Sequence, residues 1–578
     1  MNTKKIRQYL PYIILGLCAV ILLIRTRYSF CWSDETFYAS TTERFLRGDG
    51  IFLHEWFPTQ LVSLILMPFQ AAFKAAAGSV DGILLYFRIC YVIYSFAVSI
   101  IIYRILKKDY KEFTSLCCAL FYFFYSHLNI ATMSYYTLSV GFYLLAMLLI
   151  YYALEHAAVS YKKYYILAGI SFAASVICLP TMAVAYFLCA ALLVVCSIRK
   201  KKIRPVFPYT LIGICALAAV TMIFILSRVH LSDLINNLPY ILSDEEHTTS
   251  LVYPFKKFFI SVHDEYGRFT YASYLLILFC LLFGRKLSTK WKIILTAIDT
   301  LLFVVFFVFS IGHTGYISTA LILFALPLYF MTQKRNKPLF FLLYCAGLVF
   351  AMVFSYSSNG YLYIMTLGHS ISAVGAICFL HDFRHEVFSD PTLKAAGPVL
   401  SILCLMVTGI VVVQTMTLRL VNIYRDAPLS ELTAEITQGP AAGLYTTPEH
   451  RQSYDEIYTA IQEYADMDGC IFFTKLMPWG YLATDMRCGA PTTWRTPFNS
   501  KRLDLYYEAN PDRIPGLIFI LDEEVGSYDT CGDVVADPAP NQNEIGGWLL
   551  NYVTEHDYET IPFERGTILR KPAGTHAP

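Results

Sequence analysis

The stretch Cys31-Trp32-Ser33-Asp34-Glu35-Thr36-Phe37-Tyr38 follows directly on the first apolar run of the chain, Tyr12 to Ile24. Ionised side chains are costly in bilayer hydrocarbon, so two adjacent carboxylates at such a boundary need a reason. Either a solvated loop begins here, or the pair forms the floor of a site that faces a lipid-borne substrate. The fold class follows from what comes after. Apolar runs of about 20 residues, the length that crosses a bilayer as a helix, recur as far as Gln414.

Composition agrees. The 578 residues are 56% hydrophobic and 15% charged, against roughly 25% charged in soluble domains, and the mean hydropathy is +0.50. These values exclude an ordinary soluble enzyme and predict an α-helical polytopic membrane protein. The charge is unevenly spread. Residues 425–578 hold 11 basic and 24 acidic residues, a net charge of −13, and the rest of the chain holds 34 and 19. The acidic part also has the texture of loops and short strands. The expected division is a membrane domain, 1–424, and a soluble α/β domain, 425–578. No nucleic-acid partner is expected.

Lys4, Lys5 and Arg7 precede the first apolar run, and no small-residue cleavage site follows it, so an uncleaved signal anchor is expected. Most of the 16 cysteines, among them Cys117, Cys118, Cys189 and Cys404, lie in apolar segments as small buried hydrophobes. No Cys-x-x-Cys pair occurs, and no disulfide is assigned among Cys470, Cys488 and Cys531.

Basic short loops belong on the cytoplasmic side, which orders the segments. The N-terminus is then cytoplasmic and Asp34-Glu35 lies outside. Counting Leu61 to Ala77 as a span would carry Arg104, Lys107, Lys108 and Lys111 outside, against the rule. Laying Pro58 to Ala77 along the outer interface, as a stretch broken by Pro68 and Lys74, removes the conflict. About thirteen spans by the hydropathy criterion then lie near 10–25, 83–106, 112–130, 134–154, 164–180, 181–198, 208–228, 269–284, 291–311, 315–331, 338–355, 360–380 and 396–417. The first outer loop is 25–82, and the acidic domain falls outside the cell. In that domain, 453–465 has helical periodicity, and 470–473 and 516–521 read as buried strands. It holds no Gly-x-Ser-x-Gly, phosphate loop or His-Glu-x-x-His.

The first outer loop continues through Arg44-Phe45-Leu46-Arg47-Gly48-Asp49-Gly50 to His54-Glu55-Trp56-Phe57-Pro58-Thr59-Gln60-Leu61. A single span, an Asp-Glu-x-x-Tyr element, a small helix ending at a Gly-Asp-Gly turn, an acidic-aromatic-Pro segment and an interfacial helix come in that order. This resembles the GT-C glycosyltransferases, such as the protein O-mannosyltransferases and the aminoarabinose transferases of lipid A. Pro58-Thr59-Gln60-Leu61 stands where such loops usually carry Pro-Pro-Leu.

The resemblance implies a transferase that moves a sugar from a polyprenyl phosphate to an acceptor hydroxyl on the outer face of a bacterial plasma membrane. Asp34 would be the general base of a single inverting displacement, with Glu35 and Glu55 as further catalytic carboxylates. Cations must stabilise the departing phosphate, and an apolar groove must hold the lipid tail. Tyr38, His54, Lys256, Lys257, Arg268 and His313 are the expected substrate-binding residues. The partners are the lipid-linked donor, the bilayer and a glycan, protein or lipid acceptor.

No metal ligands are assigned. A divalent cation at Glu35 is compatible with the loop but not required. His127, His247 and His313 share the outer face without ligand spacing. Tyr135, Tyr136 and Trp56 are either sugar contacts or interfacial aromatics. Two other functions are compatible with the chain: a flippase or transporter of a lipid-linked glycan, and a non-catalytic envelope scaffold. The first would show paired halves, and the second would tolerate loss of Asp34.

Overall fold

The computed structural model describes residues 3–156, 161–199, 203–242, 253–356, 361–390, 396–464, 469–494, 496, 498, 500–522 and 547–572. At 3–7, 192–193, 195–199, 242 and 253–255 it describes the backbone alone. The chain is a polytopic membrane protein with a C-terminal α/β region. Among the described residues nine helices are long and apolar enough to cross a bilayer. They are Gln8–Arg25, Ile83–Leu106, Tyr135–His156, Val206–Leu226, Phe269–Lys286, Thr289–Phe309, Lys337–Ser355, Leu362–Ser389 and Ala396–Val421. The other expected spans also fall on helices: Glu112–Phe124, Tyr161–Cys178, Met182–Arg199 and Tyr316–Met331.

The first helix, α1 (Thr3–Arg25), leads into a short turn and then α2 (Asp34–Leu46). Asp34 and Glu35 thus sit in the first turn of a helix, where carboxylates oppose the positive end of the helix dipole. Helix α2 is polar in sequence, yet every residue from Asp34 to Phe45 is buried. Its hydroxyls are therefore bonded. Ser40 donates to Thr36 O and Pro478 O, each at 2.7 Å, and Thr41 meets Thr493 at 2.8 Å.

Helix α3 (Val62–Ala77) lies against α2 and buries Val62, Ser63, Leu66, Met67 and Gln70 on one face, while Phe69 on the other is 39% exposed. Pro68 and Lys74, expected to break this stretch, lie inside one continuous helix. Pro68 is on the exposed face, and the Lys74 amine reaches Glu43 of α2 at 2.5 Å. Helix α4 (Ile83–Leu106) follows. The stretch 229–268, between two expected spans, contains the helices Leu231–Leu242 and Tyr253–Tyr266.

The C-terminal region begins with a two-stranded ribbon, β1 (Ala434–Glu435) and β2 (Tyr445–Thr446). A five-stranded mixed sheet follows, with β3 (Cys470–Phe473), β4 (Arg487–Cys488), β5 (Leu517–Leu521), β6 (Glu559–Phe563) and β7 (Gly566–Arg570). The strand order is β4-β3-β5-β7-β6. Strand β3 runs parallel to β4 and β5, and β5, β7 and β6 form an antiparallel meander. The expected helix and buried strands are Pro448–Tyr464, β3 and β5.

This region does not stand apart from the loop 25–82. Phe30 packs 5.3 Å from Tyr454, Trp32 packs 5.5 Å from Trp479, and Trp56 packs 5.1 Å from Tyr506, all within one apolar core. The change of composition at 424/425 is not a gap in packing. The described cysteines are unpaired, with Cys470 and Cys488 buried. Cys531 lies outside the described residues.

Candidate active site

Asp34 is 8% exposed. Its Oδ2 accepts a hydrogen bond from the Tyr424 hydroxyl at 2.6 Å, lies 3.1 Å from Arg425 Nη1 and is 3.4 Å from Ser33 Oγ. Its Oδ1 has no hydrogen-bond partner among the described residues, so one lone-pair face of the carboxylate is uncommitted. Tyr38 stands one turn further along α2. Burial, and then the negative charge of Asp34, push the Tyr38 and Tyr424 phenols well above their ordinary value. Both are therefore neutral hydroxyls at any physiological pH. The same causes push the Cys31 thiol up to about 12.

A row of rings leads away from this carboxylate. Tyr38 is 5.7 Å from Tyr135, Tyr135 is 4.0 Å from Tyr136, Tyr136 is 4.6 Å from His127, and His127 is 5.9 Å from Tyr363. Tyr363 is 5.8 Å from Tyr361, and the Lys257 amine lies 4.8 Å from the Tyr361 ring centre. Tyr135, Tyr136 and Tyr363 are half-buried, and Tyr361 is exposed. A half-open aromatic wall beside a carboxylate suits a sugar face or an isoprenoid chain.

Glu35 points elsewhere. Its Oε2 accepts from Arg88 Nε at 3.0 Å and also pairs with Arg88 Nη2, and its Oε1 accepts from Ala131 N at 2.8 Å. The buried Arg88 also donates to Thr26 O and Ser29 O, at 2.8 and 3.1 Å. Glu35 therefore ties the start of α2 to α4 and to the 130 turn, and its charge is spent inside the fold. Arg88 stands out in the sequence only as a charge near one end of an apolar run; nothing local to it names Glu35 as its partner.

Glu55 and His54, also expected at the site, belong to a second cluster between the loop and the C-terminal region. Glu55 is fully buried. Its Oε2 accepts from Arg44 Nη1 at 3.0 Å and from Thr493 N at 3.2 Å, and its Oε1 accepts from Phe57 N at 3.1 Å. Burial pushes its carboxyl up against the opposing pull of Arg44. Asp49 accepts from Arg44 Nε at 2.8 Å and Arg513 Nη1 at 2.7 Å; burial would raise its carboxyl, but the two guanidiniums hold it below the ordinary value. His54 Nδ1 accepts from Gly50 N at 2.8 Å and lies 3.3 Å from Arg513 Nη2. Burial, and then the charge of Arg513, hold this imidazole down to about 4. None of these groups contacts Asp34. Glu55, expected as a second catalytic carboxylate, uses its hydrogen bonds to close an interface.

The expected cations are scattered. Lys256 and Arg268 are exposed, and Lys257 lies 3.7 Å from Asp264 at the far end of the ring row. His313 is exposed and stacks on Tyr316 at 4.8 Å. The cation at the carboxylate is Arg425, which the composition break at 424/425 disguises as the first residue of a separate domain. Trp56 is buried and stacks on Tyr240 at 4.9 Å. Of the three histidines expected on one face, two are described. His127 is sealed between Tyr136 and Tyr363, His313 is exposed, and His247 lies outside the described residues. Among the described residues no three His, Cys, Asp or Glu side chains are grouped as metal ligands.

No family model matches the chain, and no curated protein matches it. Solved structures do. ArnT from Cupriavidus metallidurans bound to undecaprenyl phosphate matches 98% of this chain over 99% of its own, at 9% identity and a TM-score of 0.46. The Archaeoglobus fulgidus oligosaccharyltransferase with Zn and sulfate matches 87% of this chain over 67% of its own, at 11% identity and a TM-score of 0.48. The archaeal oligosaccharyltransferase AglB from the same organism, with an inhibitory peptide and a dolichol-phosphate, matches 89% over 69% at 11% identity and a TM-score of 0.43. The likeness is in the path of the chain, and no residue role is carried across it.

Proposed function

We propose that this protein is a GT-C-type glycosyltransferase that moves a sugar from a polyprenyl-phosphate donor to an acceptor hydroxyl at the outer membrane interface. The observation that carries the reading is the state of Asp34: one oxygen is held by Tyr424, Arg425 and Ser33, and the other has no partner among the described residues. A carboxylate fixed on one side and open on the other is arranged to take a proton. In this reading Oδ1 accepts the proton of the acceptor hydroxyl as its oxygen attacks the anomeric carbon. The phosphate leaves from the opposite face with the bonding electron pair, which makes the displacement inverting.

The leaving phosphate gains negative charge, and Arg425, whose side chain is 23% exposed, is the cation assigned to stabilise it. Tyr38 supplies a neutral hydroxyl to the substrate. The ring row from Tyr135 to Tyr361 borders the sugar or the first isoprenes, and Lys257 stands at its outer end. Glu35 and Glu55 act as struts, and Lys256, Arg268, His54 and His313 take no part in the chemistry.

The test uses full-length protein in detergent with a panel of undecaprenyl-phosphate hexoses and pentoses. An amide cannot accept the proton, so Asp34→Asn is expected to lower kcat by about 10²–10⁴-fold with little change in donor KM. Turnover by Asp34→Asn at the wild-type rate would remove Asp34 from the chemistry.

A further inference from the structure

The segment that covers Asp34 is the connection between the last apolar helix, Ala396–Val421, and the C-terminal region. Tyr424 and Arg425 both reach Asp34, and the next residue, Asp426, turns the other way. The Asp426 side chain has no exposed surface. Its Oδ2 accepts from Phe30 N at 2.6 Å and Thr446 Oγ1 at 2.9 Å, and its Oδ1 accepts from Ala427 N at 2.8 Å and lies 2.8 Å from His450 Nδ1. Four donors on one buried carboxylate repay its desolvation and fix its position.

These contacts join three segments at one point. Phe30 lies four residues before Asp34, on the strand of chain that delivers the carboxylate. Thr446 is in β2, and His450 is in the first turns of the helix Pro448–Tyr464. Arg425 itself has a φ of +49°, a left-handed conformation that an arginine keeps only where its surroundings hold it. That conformation sends the side chains of residues 425 and 426 to opposite partners. The same ribbon grips the incoming chain once more. Tyr445 N donates to Arg27 O at 2.7 Å, Ser29 N donates to Tyr445 O at 2.9 Å, and the Tyr28 and Tyr445 rings stack at 5.6 Å.

We propose that Asp426, Thr446 and His450 form a positioning clasp through which the C-terminal region sets Tyr424 and Arg425 against Asp34. Seating of that region then completes the catalytic site, whatever else the region recruits. The catalytic consequence rests on the reading of Asp34 given above; the mechanical coupling between the clasp and the start of α2 does not.

Hydrogen–deuterium exchange on the full-length protein in detergent reads the coupling without any substrate. Thr446→Val removes one donor and keeps the shape, and Asp426→Asn weakens the whole cluster. In both, peptides covering 30–38 and 422–428 are expected to exchange about tenfold faster, while β3 and β5 keep wild-type protection. With undecaprenyl-phosphate sugars, Thr446→Val is expected to lower kcat about tenfold at unchanged donor KM, and Thr446→Ser to restore it. Faster exchange confined to 446–450 would overturn the clasp. So would loss of protection throughout β3 and β5, which would make Asp426 a folding residue. Coupled exchange in a protein whose Asp34→Asn variant still turns over would leave the clasp standing and sink the catalytic reading alone.

Discussion

At the scale of the residue, two neighbours of identical charge have different work because their surroundings differ. Asp34 keeps an uncommitted oxygen, and Glu35 is enclosed with Arg88. Removing one partner of a buried pair strands the other charge, which costs roughly 3–5 kcal/mol, whereas replacing both by apolar groups is often neutral. Arg88→Met is therefore expected to destabilise the protein by about that amount, and Glu35→Leu with Arg88→Met to recover most of it, measured as unfolding in detergent. A charge-deficient catalyst with wild-type stability would be the wrong outcome for Arg88→Met. The acidic pair itself is visible in the sequence, because carboxylates beside an apolar run are rare. Its division of labour is not, since Arg88 lies 53 positions away from Glu35 and Tyr424 lies 390 from Asp34. Only the fold brings them together.

At the scale of the element, α2 and the segment after it form a polar layer sealed by the C-terminal region. The continuity of helix α3 through Pro68 and Lys74 was not legible, whereas its shortness for a span was. The burial of α2 was not, because Thr36, Ser40, Thr41 and Thr42 have the composition of an exposed helix until their partners in the C-terminal region are known. The interface carries its own pH response. His54 stays neutral in the folded protein down to about 4, because it is buried and lies beside the charge of Arg513. In the unfolded chain it binds a proton below about 6.5. Its contribution is thus complete above pH 6.5 and is lost as the pH falls toward 4. Asp49, held below 3.8, extends the loss into more acidic solution. Melting temperature should fall across pH 6.5 to 4 in wild type, by at most about 3 kcal/mol of stability, and His54→Asn should flatten that slope. An equal slope in both proteins would place the titration elsewhere.

At the scale of the whole molecule, the membrane body and the C-terminal region share a core and meet at the site. Composition marks their boundary at 424/425, yet Tyr424, Arg425 and Asp426 straddle it and serve both sides. The apolar runs made the helical body legible, since each is a local property of the chain. The site was legible only on the Asp34 side, because its other wall arrives from the far end of the sequence. The proposed transferase is separated from a flippase or a scaffold by its product. The most direct measurement places the full-length protein in liposomes with undecaprenyl-phosphate-linked sugars and follows both the lipid phosphate released and the glycoside formed. The account predicts release matched by a glycosidic product of inverted anomeric configuration, and neither from Asp34→Asn. Lipid carried across the bilayer with no glycoside formed, or equal product from Asp34→Asn, would contradict it.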